Sequence, residues 1–126
     1  MAWSYWLGGT TWSAATSRRP EGAPIPAATV LFLGPLRRHY PTLPLPQLIH
    51  RMTDRPAQRF GLVGRGRIAP GYHADLVVFD PDTVTDRATY TEPVQYPEGI
   101  SLVVVNGVVT VEEDWYTGAL AGRAIP

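Results

Sequence analysis

Apolar positions become periodic near residue 45. Four of them share one helix face through the spacing i, i+3, i+4, i+7: Leu45, Leu48, Ile49 and Met52. Pro44 and Pro46 fall in the first turn, where a missing N–H costs little. Thr53-Asp54 offers a cap, Pro56 begins a second helix, and Gly61 ends it. The pattern predicts two short helices with a break between them.

Further along, short apolar runs between turn residues predict strands. The predicted strands are Arg67-Ile68, Asp75–Phe79, Ser101–Val105 and Val108–Glu112. Pro70-Gly71 marks a turn before the second strand, and residues 81 to 99 are loop-like. Asn106-Gly107 joins the last two strands, and this dipeptide favours a type I′ hairpin turn because both positions need φ > 0.

Residues 1 to about 30 show no stable period, and a disordered or loosely packed tail is favoured over a functional loop there. Pro, Gly, Thr, Ser and Arg crowd the first 46 residues, and Ala27 to Leu36 form a short apolar run. Too few strands follow to close a barrel or to cover both faces of a sheet, so the apolar runs at 76–79 and 102–105 need a partner surface. This organisation is typical of the end of a larger protein.

Composition narrows the functional classes. Lys+Arg and Asp+Glu balance at 11 each, so no long-range attraction to nucleic acid or to an anionic membrane is expected. There is no cysteine for a disulfide, a thiolate zinc site or a nucleophile, and no apolar stretch long enough to span a membrane. The start lacks the pattern of a secretory signal, so a cytoplasmic protein is expected.

Candidate catalytic groups are sparse. The three histidines, His39, His50 and His73, are far apart in sequence and are expected to be surface or half-buried side chains rather than metal ligands. Asp75 and Asp80 bracket a strand, and a turn role is favoured over acid/base catalysis. A third candidate is the basic group Arg59, Arg65 and Arg67, for which a solvated face is favoured. We therefore predict no catalytic, metal-binding or substrate-binding residue in this chain.

Several motifs resemble the C-terminal end of the amidohydrolase superfamily. The general ones are Ala74 to Asp80 (Ala-Asp-Leu-Val-Val-Phe-Asp) and Val105-Asn106-Gly107. Three more resemble the N-acyl-D-amino-acid deacylase (D-aminoacylase) branch: Met52-Thr53 before Pro56 to Leu62, Tyr96 to Ile100, and Thr117-Gly118-Ala119 with Gly122-Arg123. The resemblance runs over about residues 32 to 125.

The resemblance implies an α+β fragment: the last helices of a metal-dependent (β/α) barrel, then the C-terminal strands of a small composite β-sandwich or barrel domain. Residues 32–63 would be the barrel helices and 64–126 the share of the β domain. The family uses zinc to hydrolyse N-acyl-D-amino acids to a D-amino acid and a carboxylate. Its metal ligands and catalytic Asp match no position here, so no zinc is expected to bind this chain, and isolated activity is not expected.

The front of the chain departs from the family, whose members carry His-Pro-Arg-x-Tyr-Gly-Thr-Phe-Pro-Arg before the Leu33-Gly34 region. Codons compatible with residues 24 to 32, read one base earlier, permit His-Pro-Arg-x-Tyr-Gly-Thr-Phe. We hypothesise that residues 1–31 are an irregular, out-of-frame segment. Two alternatives stay open: a non-catalytic β-rich module that self-associates through exposed strands, and a fragment of another branch such as the dihydroorotases or hydantoinases.

Overall fold

The computed structural model describes residues 2–3, 27–92, 95–113 and 115–125: a first short strand, then the helices, then the other four strands of an antiparallel sheet. The helical part comprises α1 (Ala27–Leu31), a π-helical turn (Phe32–Leu36), α2 (Arg37–His39), α3 (Leu45–Met52) and α4 (Asp54–Arg59). The strands are β1 (Ala2–Trp3), β2 (Leu76–Phe79), β3 (Ile100–Val105), β4 (Val108–Glu112) and β5 (Trp115–Tyr116). This order agrees with the predicted α+β arrangement.

The two helices predicted from the apolar period are confirmed. Ile49 is buried in the core, and its three periodic companions Leu45, Leu48 and Met52 pack against the same cluster. Thr53 occupies the N-cap position of α4 as predicted, but its hydroxyl makes no capping hydrogen bond to α4 and donates to Ile49 O at 2.9 Å. Thr53 is still bonded to the preceding turn, and a hydroxyl there reaches back to the i−4 carbonyl.

The apolar run before residue 37 is helical, which its lack of period did not indicate. Pro35 lies inside the π-helical turn and has no N–H to donate. Separately, Arg37 Nε donates to Leu33 O at 2.9 Å, so a side chain satisfies a carbonyl in this widened turn. Val30 and Leu33 of this segment are buried against the sheet side of the core.

All pairings in the sheet are antiparallel, in the order β1-β2-β3-β4-β5. The predicted hairpin is confirmed: Asn106 and Gly107 have φ of 48° and 81°, and Val105 pairs with Val108. The predicted strand at Arg67-Ile68 is wrong, since both residues lie in the loop between α4 and β2. Arg67 makes a side-chain hydrogen bond to α4, described below, and is not part of a strand.

The buried core lies between the helices and the sheet and consists of Val30, Leu33, Ile49, Phe79 and Val84. Val84 belongs to the segment 81–99, whose described residues, 81–92 and 95–99, are loop-like as predicted apart from an isolated bridge between Thr85 and Glu98. In the described ranges, no helix has both the length and the apolar character needed to cross a membrane.

Candidate functional site

The three histidines considered in the sequence analysis are all exposed. His39 contacts Tyr40 edge to face with ring centroids 4.4 Å apart, and His50 Nδ1 lies 3.3 Å from Asp54 Oδ2. His73 donates its backbone N–H to Gly64 O at 2.8 Å, while its side chain lies at the rim of a cleft. Within residues 27–92, 95–113 and 115–125, no three His, Asp or Glu side chains are placed to hold a metal ion together. The described donor set therefore does not fit the zinc that the resemblance implies.

Asp54, at the start of α4, is a buried carboxylate that ties the helix to the following loop. It accepts hydrogen bonds from Arg67 Nε at 2.6 Å and from Gln58 Nε2 at 2.7 Å. The hydrogen bond from Arg67 is the main reason why the pKa of Asp54 lies below its ordinary value, and Gln58 and His50 act in the same direction against the cost of burial. The carboxylate is therefore held ionised, which suits a structural ion pair rather than a proton donor.

Asp75, just before β2, ties the same loop to the hairpin. One carboxylate oxygen pairs with Arg65 Nη1, and the other accepts the backbone N–H of Asn106 at 2.8 Å. Only 12% of each side chain of the Arg65–Asp75 pair is exposed. Asp80, at the other end of the strand, accepts the backbone N–H of Asp82 at 2.9 Å, which lowers the pKa of its carboxyl. This contact agrees with the turn role favoured for Asp80. Asp75, in contrast, binds a residue much further along the chain than a turn residue does.

The loop between α4 and β2 is thus held from both sides by arginines two residues apart. Arg67 binds the helix through Asp54, and Arg65 binds the strand end through Asp75. Gly66 between them is buried against α4, and a Cβ there would come within 2.8 Å of Ala57 Cβ. The basic group predicted as a solvated face is therefore divided: Arg65 and Arg67 are ion-paired, and Arg59 is exposed.

A second junction surrounds Val84, whose side chain is completely buried. Two glycines approach its backbone: a Cβ on Gly34 would collide with Val84 O, and a Cβ on Gly99 would lie 2.6 Å from Val84 N and Cα. Arg38 Nη1 donates to Val84 O at 2.9 Å, and Arg37 Nη2 donates to Pro81 O. We call this arrangement the Val84 seat; it joins the first helical segment to the loop before β3.

An open cleft of about 610 Å³ lies at the end of α4. Its apolar wall includes Phe60, Leu62, Val63 and Ile125, and its polar rim includes Arg65 and His73. Arg65 is already bound to Asp75, and the cleft brings no carboxylate or hydroxyl next to His73 among its lining residues. The described charged side chains therefore join helices, loops and strands to one another. Among the residues that line the cleft, no set of groups is arranged for acid/base or nucleophilic chemistry.

Comparison with known proteins places these features in a class. The family model described as Amidohydrolase family matches residues 9–111. This is well over half of the chain, and the chain therefore belongs to the amidohydrolase family.

Within that family, the similarity is to the D-aminoacylase branch. The chain is 46% identical over 93 residues to a D-aminoacylase of Alcaligenes xylosoxydans xylosoxydans, covering 74% of this chain and 19% of that protein. A crystal structure of D-aminoacylase superposes with a TM-score of 0.71 at 45% identity, over 75% of this chain and 20% of the other. The N-acyl-D-glutamate deacylase of Bordetella bronchiseptica, solved with zinc and a phosphonate inhibitor, gives 0.65 at 45% identity, over 67% and 18%.

The chain thus spans about a fifth of the length of the relatives it matches. The predicted resemblance to N-acyl-D-amino-acid deacylases is confirmed, and the alternative of a non-catalytic interaction module is not favoured. Sequence reasoning missed the contacts that matter most in the fold, namely Arg65 and Asn106 on Asp75, and Val84 between two glycines. Gly34 and Gly99 lie in or beside the motifs of the resemblance, and this placement was the one available signal for the Val84 seat.

Proposed function

We propose that this chain is the C-terminal portion of a zinc-dependent amidohydrolase that converts N-acyl-D-amino acids to D-amino acids and carboxylates. The observation that carries the proposal is the sequence and structural similarity to D-aminoacylase along three-quarters of this chain. The zinc and the phosphonate, a mimic of the tetrahedral intermediate, in the Bordetella relative support the metal and the reaction class. A cytoplasmic location remains part of the proposal.

In this proposal the chain supplies structure rather than reacting groups. Residues 32–63 are the terminal barrel helices, and residues 64–126 are the C-terminal share of the composite β domain. Their junction contains the two arginine–carboxylate pairs around Arg65 and Arg67, which suit a segment that must hold a helix and a sheet in fixed register. Because four-fifths of the relatives' length has no counterpart in this chain, we propose that the chain is inactive in isolation.

The isolated chain gives the first test. We expect the purified protein, incubated with zinc and a panel of N-acetyl-D-amino acids, to release no D-amino acid above a protein-free control. The intact Alcaligenes D-aminoacylase serves as the positive control. Release of D-amino acid that disappears when the metal is chelated would contradict inactivity in isolation.

A graft tests whether the chain can act as part of such an enzyme. The matching segment of the Alcaligenes D-aminoacylase is replaced by residues 32–125 of this chain, and we expect the graft to fold and to hydrolyse N-acetyl-D-amino acids. A second graft carries a scrambled version of the same segment as control and is expected to be inactive. A folded graft of residues 32–125 without activity would reject the proposed function.

We also propose that residues 1–31 are out-of-frame sequence. The proposal rests on the departure of residues 24–32 from the His-Pro-Arg-x-Tyr-Gly-Thr-Phe-Pro-Arg segment of the family. The genomic DNA across and upstream of codons 24 to 32, read in all three frames, is the direct test. Absence of the His-Pro-Arg-x-Tyr-Gly-Thr-Phe codons from the shifted frame would remove this proposal and leave the deacylase assignment standing.

A further inference from the structure

The outer surface of helices α3 and α4 carries a row of arginines. Ile49, Thr53 and Ala57, spaced four residues apart, are buried, while Arg51, Arg55 and Arg59, each two positions later, are exposed. Thr53 N donates to Ile49 O and Ala57 N to Thr53 O, so the i→i−4 pattern continues across the break between the helices. Two residues correspond to about 200° of helical rotation, and the arginines therefore face away from the core.

This arginine row (Arg51, Arg55 and Arg59) has no ion-pair partner within the described part of the chain. Asp54, the only acidic residue between positions 32 and 63, is taken by Arg67 and Gln58. Like charges four residues apart on a helix repel each other. The row is therefore unfavourable within this chain and suits a surface that meets negative charge elsewhere.

Charge is segregated between the two parts of the chain. Residues 32–63 contain five arginines and one aspartate, whereas residues 64–126 contain four arginines and nine acidic residues. The overall neutrality seen in the composition hides this separation. A partner that binds the helical surface through these arginines would carry negative charge, and the sheet part of a second copy is one source of such charge.

The arginine row leads directly to two exposed apolar side chains. Phe60 follows Arg59 and is 73% exposed, and Val63 is 90% exposed. Arginine and aromatic residues are enriched in the centres of protein interfaces, where an apolar anchor lies beside charge-assisted hydrogen bonds. An exposed aromatic at the end of an unpaired arginine row has the composition of such an interface.

We propose that the arginine row, together with Phe60 and Val63, docks onto the part of the deacylase-like enzyme that this chain lacks, against a face with carboxylates beside an apolar patch. The inference rests on the proposed function and names the surface that would join the two parts. The occupant follows from length: the chain spans a fifth of its relatives, so the larger part of such an enzyme is outside this structure.

Arg55→Glu provides a test of the docking. If the arginine row is docked, the melting temperature of the graft should fall, whereas if the row is exposed to solvent it should rise. In the isolated 126-residue chain, the introduced carboxylate would face Arg51 and Arg59 at i±4, so the temperature of half-loss of the helical circular dichroism signal should rise. In the graft described above, the same carboxylate would face carboxylates of the docked part, and we expect the Tm to fall by about 2 °C or more. Arg55→Lys keeps the charge and is the matched control, with a smaller change expected in both proteins.

Each other outcome has a distinct meaning. If Arg55→Glu raises the Tm of the isolated chain and of an active graft alike, the row is solvent-exposed in the enzyme and the docking proposal is overturned. If the isolated chain sediments at low salt as a discrete dimer that Arg55→Glu dissociates, a second copy is the occupant and the proposal is also overturned. A folded but inactive unsubstituted graft rejects the proposed function itself, and the named partner with it.

Discussion

Replacement of Gly99 by alanine should destabilise the folded chain through a backbone collision at the Val84 seat. Gly99 has a φ of 83° and leads into β3, and its backbone carbonyl accepts the N–H of Asp80 at 2.9 Å. An added Cβ would lie 2.6 Å from Val84 N and Cα and 3.0 Å from Thr83 C. These are backbone atoms, so no side-chain rotation can relieve the contact.

The expected magnitude combines three effects. A non-glycine residue with this φ costs about 1–2 kcal/mol, and the forced packing against Val84 costs about 1–3 kcal/mol. Loss of glycine freedom in the unfolded chain returns about 0.4–1 kcal/mol. The net loss is therefore about 1–5 kcal/mol, a large share of the roughly 5–15 kcal/mol that holds a typical domain folded.

Gly118→Ala is the matched control for this measurement. Gly118 has a φ of 85°, and a Cβ there would meet no atom within 4 Å, so this variant carries the backbone strain without the packing conflict. Urea unfolding followed by circular dichroism should place the Gly99→Ala midpoint below that of Gly118→Ala at equal slope, by the equivalent of about 1–3 kcal/mol. Coincident midpoints would refute the tight Val84 seat.

Three further variants test the remaining contacts. Val84→Ala removes a completely buried side chain and should lower the free energy of unfolding by about 2 kcal/mol in the same urea assay; no change would mean that the seat is not packed. Asp54→Asn should be less stable than the parent near neutral pH. Because the pKa of Asp54 is lowered in the folded state, the ionised carboxylate stabilises the fold above the unfolded-state pKa of about 3.9, and this stabilisation is lost as the pH falls through the folded-state pKa. The urea midpoints of the two proteins should therefore converge in strong acid. A difference between the midpoints that does not change with pH would contradict this. Asn106→Ala loses a residue tolerant of φ 48° and the Nδ2 hydrogen bond to Ala121 O at 2.7 Å, at a cost of about 1–2 kcal/mol; limited proteolysis should cut the C-terminal tail faster, while Asn106→Asp should retain part of the stability because aspartate tolerates this φ.

Local chemistry made the helices around Ile49 and the Asn106-Gly107 hairpin predictable. Each depends on residues within one or two turns of one another: an apolar period in one case and a pair of residues that accept positive φ in the other. The helical segment with Pro35 was not predictable in this way, since its carbonyl at Leu33 is satisfied by the Arg37 side chain. The predicted strand at Arg67-Ile68 is wrong for a related reason, because the Arg67 side chain ties this loop to a carboxylate on α4, a contact that no local pattern encodes.

The candidate site shows the same division. Asp80 acts on a neighbour two residues away, and a turn role could be inferred from Asp-Pro alone. Asp75 instead bonds the backbone of Asn106, 31 residues further along the chain, and no local pattern encodes that distance. The resemblance to the deacylases came from motifs, one of which is Tyr96 to Ile100. Why this motif needs a glycine is clear only from the structure, in which Gly99 lies against the backbone of Val84.

The Val84 seat also bears on how the chain reaches its folded state. The β3–β4 hairpin closes through a two-residue turn, and such hairpins form in about 1–10 μs. The seat needs Arg38 and Val84, 46 residues apart in sequence, to meet, and the entropy of closing such a loop must be lost before any contact compensates for it. We therefore expect the hairpin to form early in folding and the helical segment to pack against Val84 late. Substitutions at the seat should then accelerate unfolding while leaving the folding rate nearly unchanged.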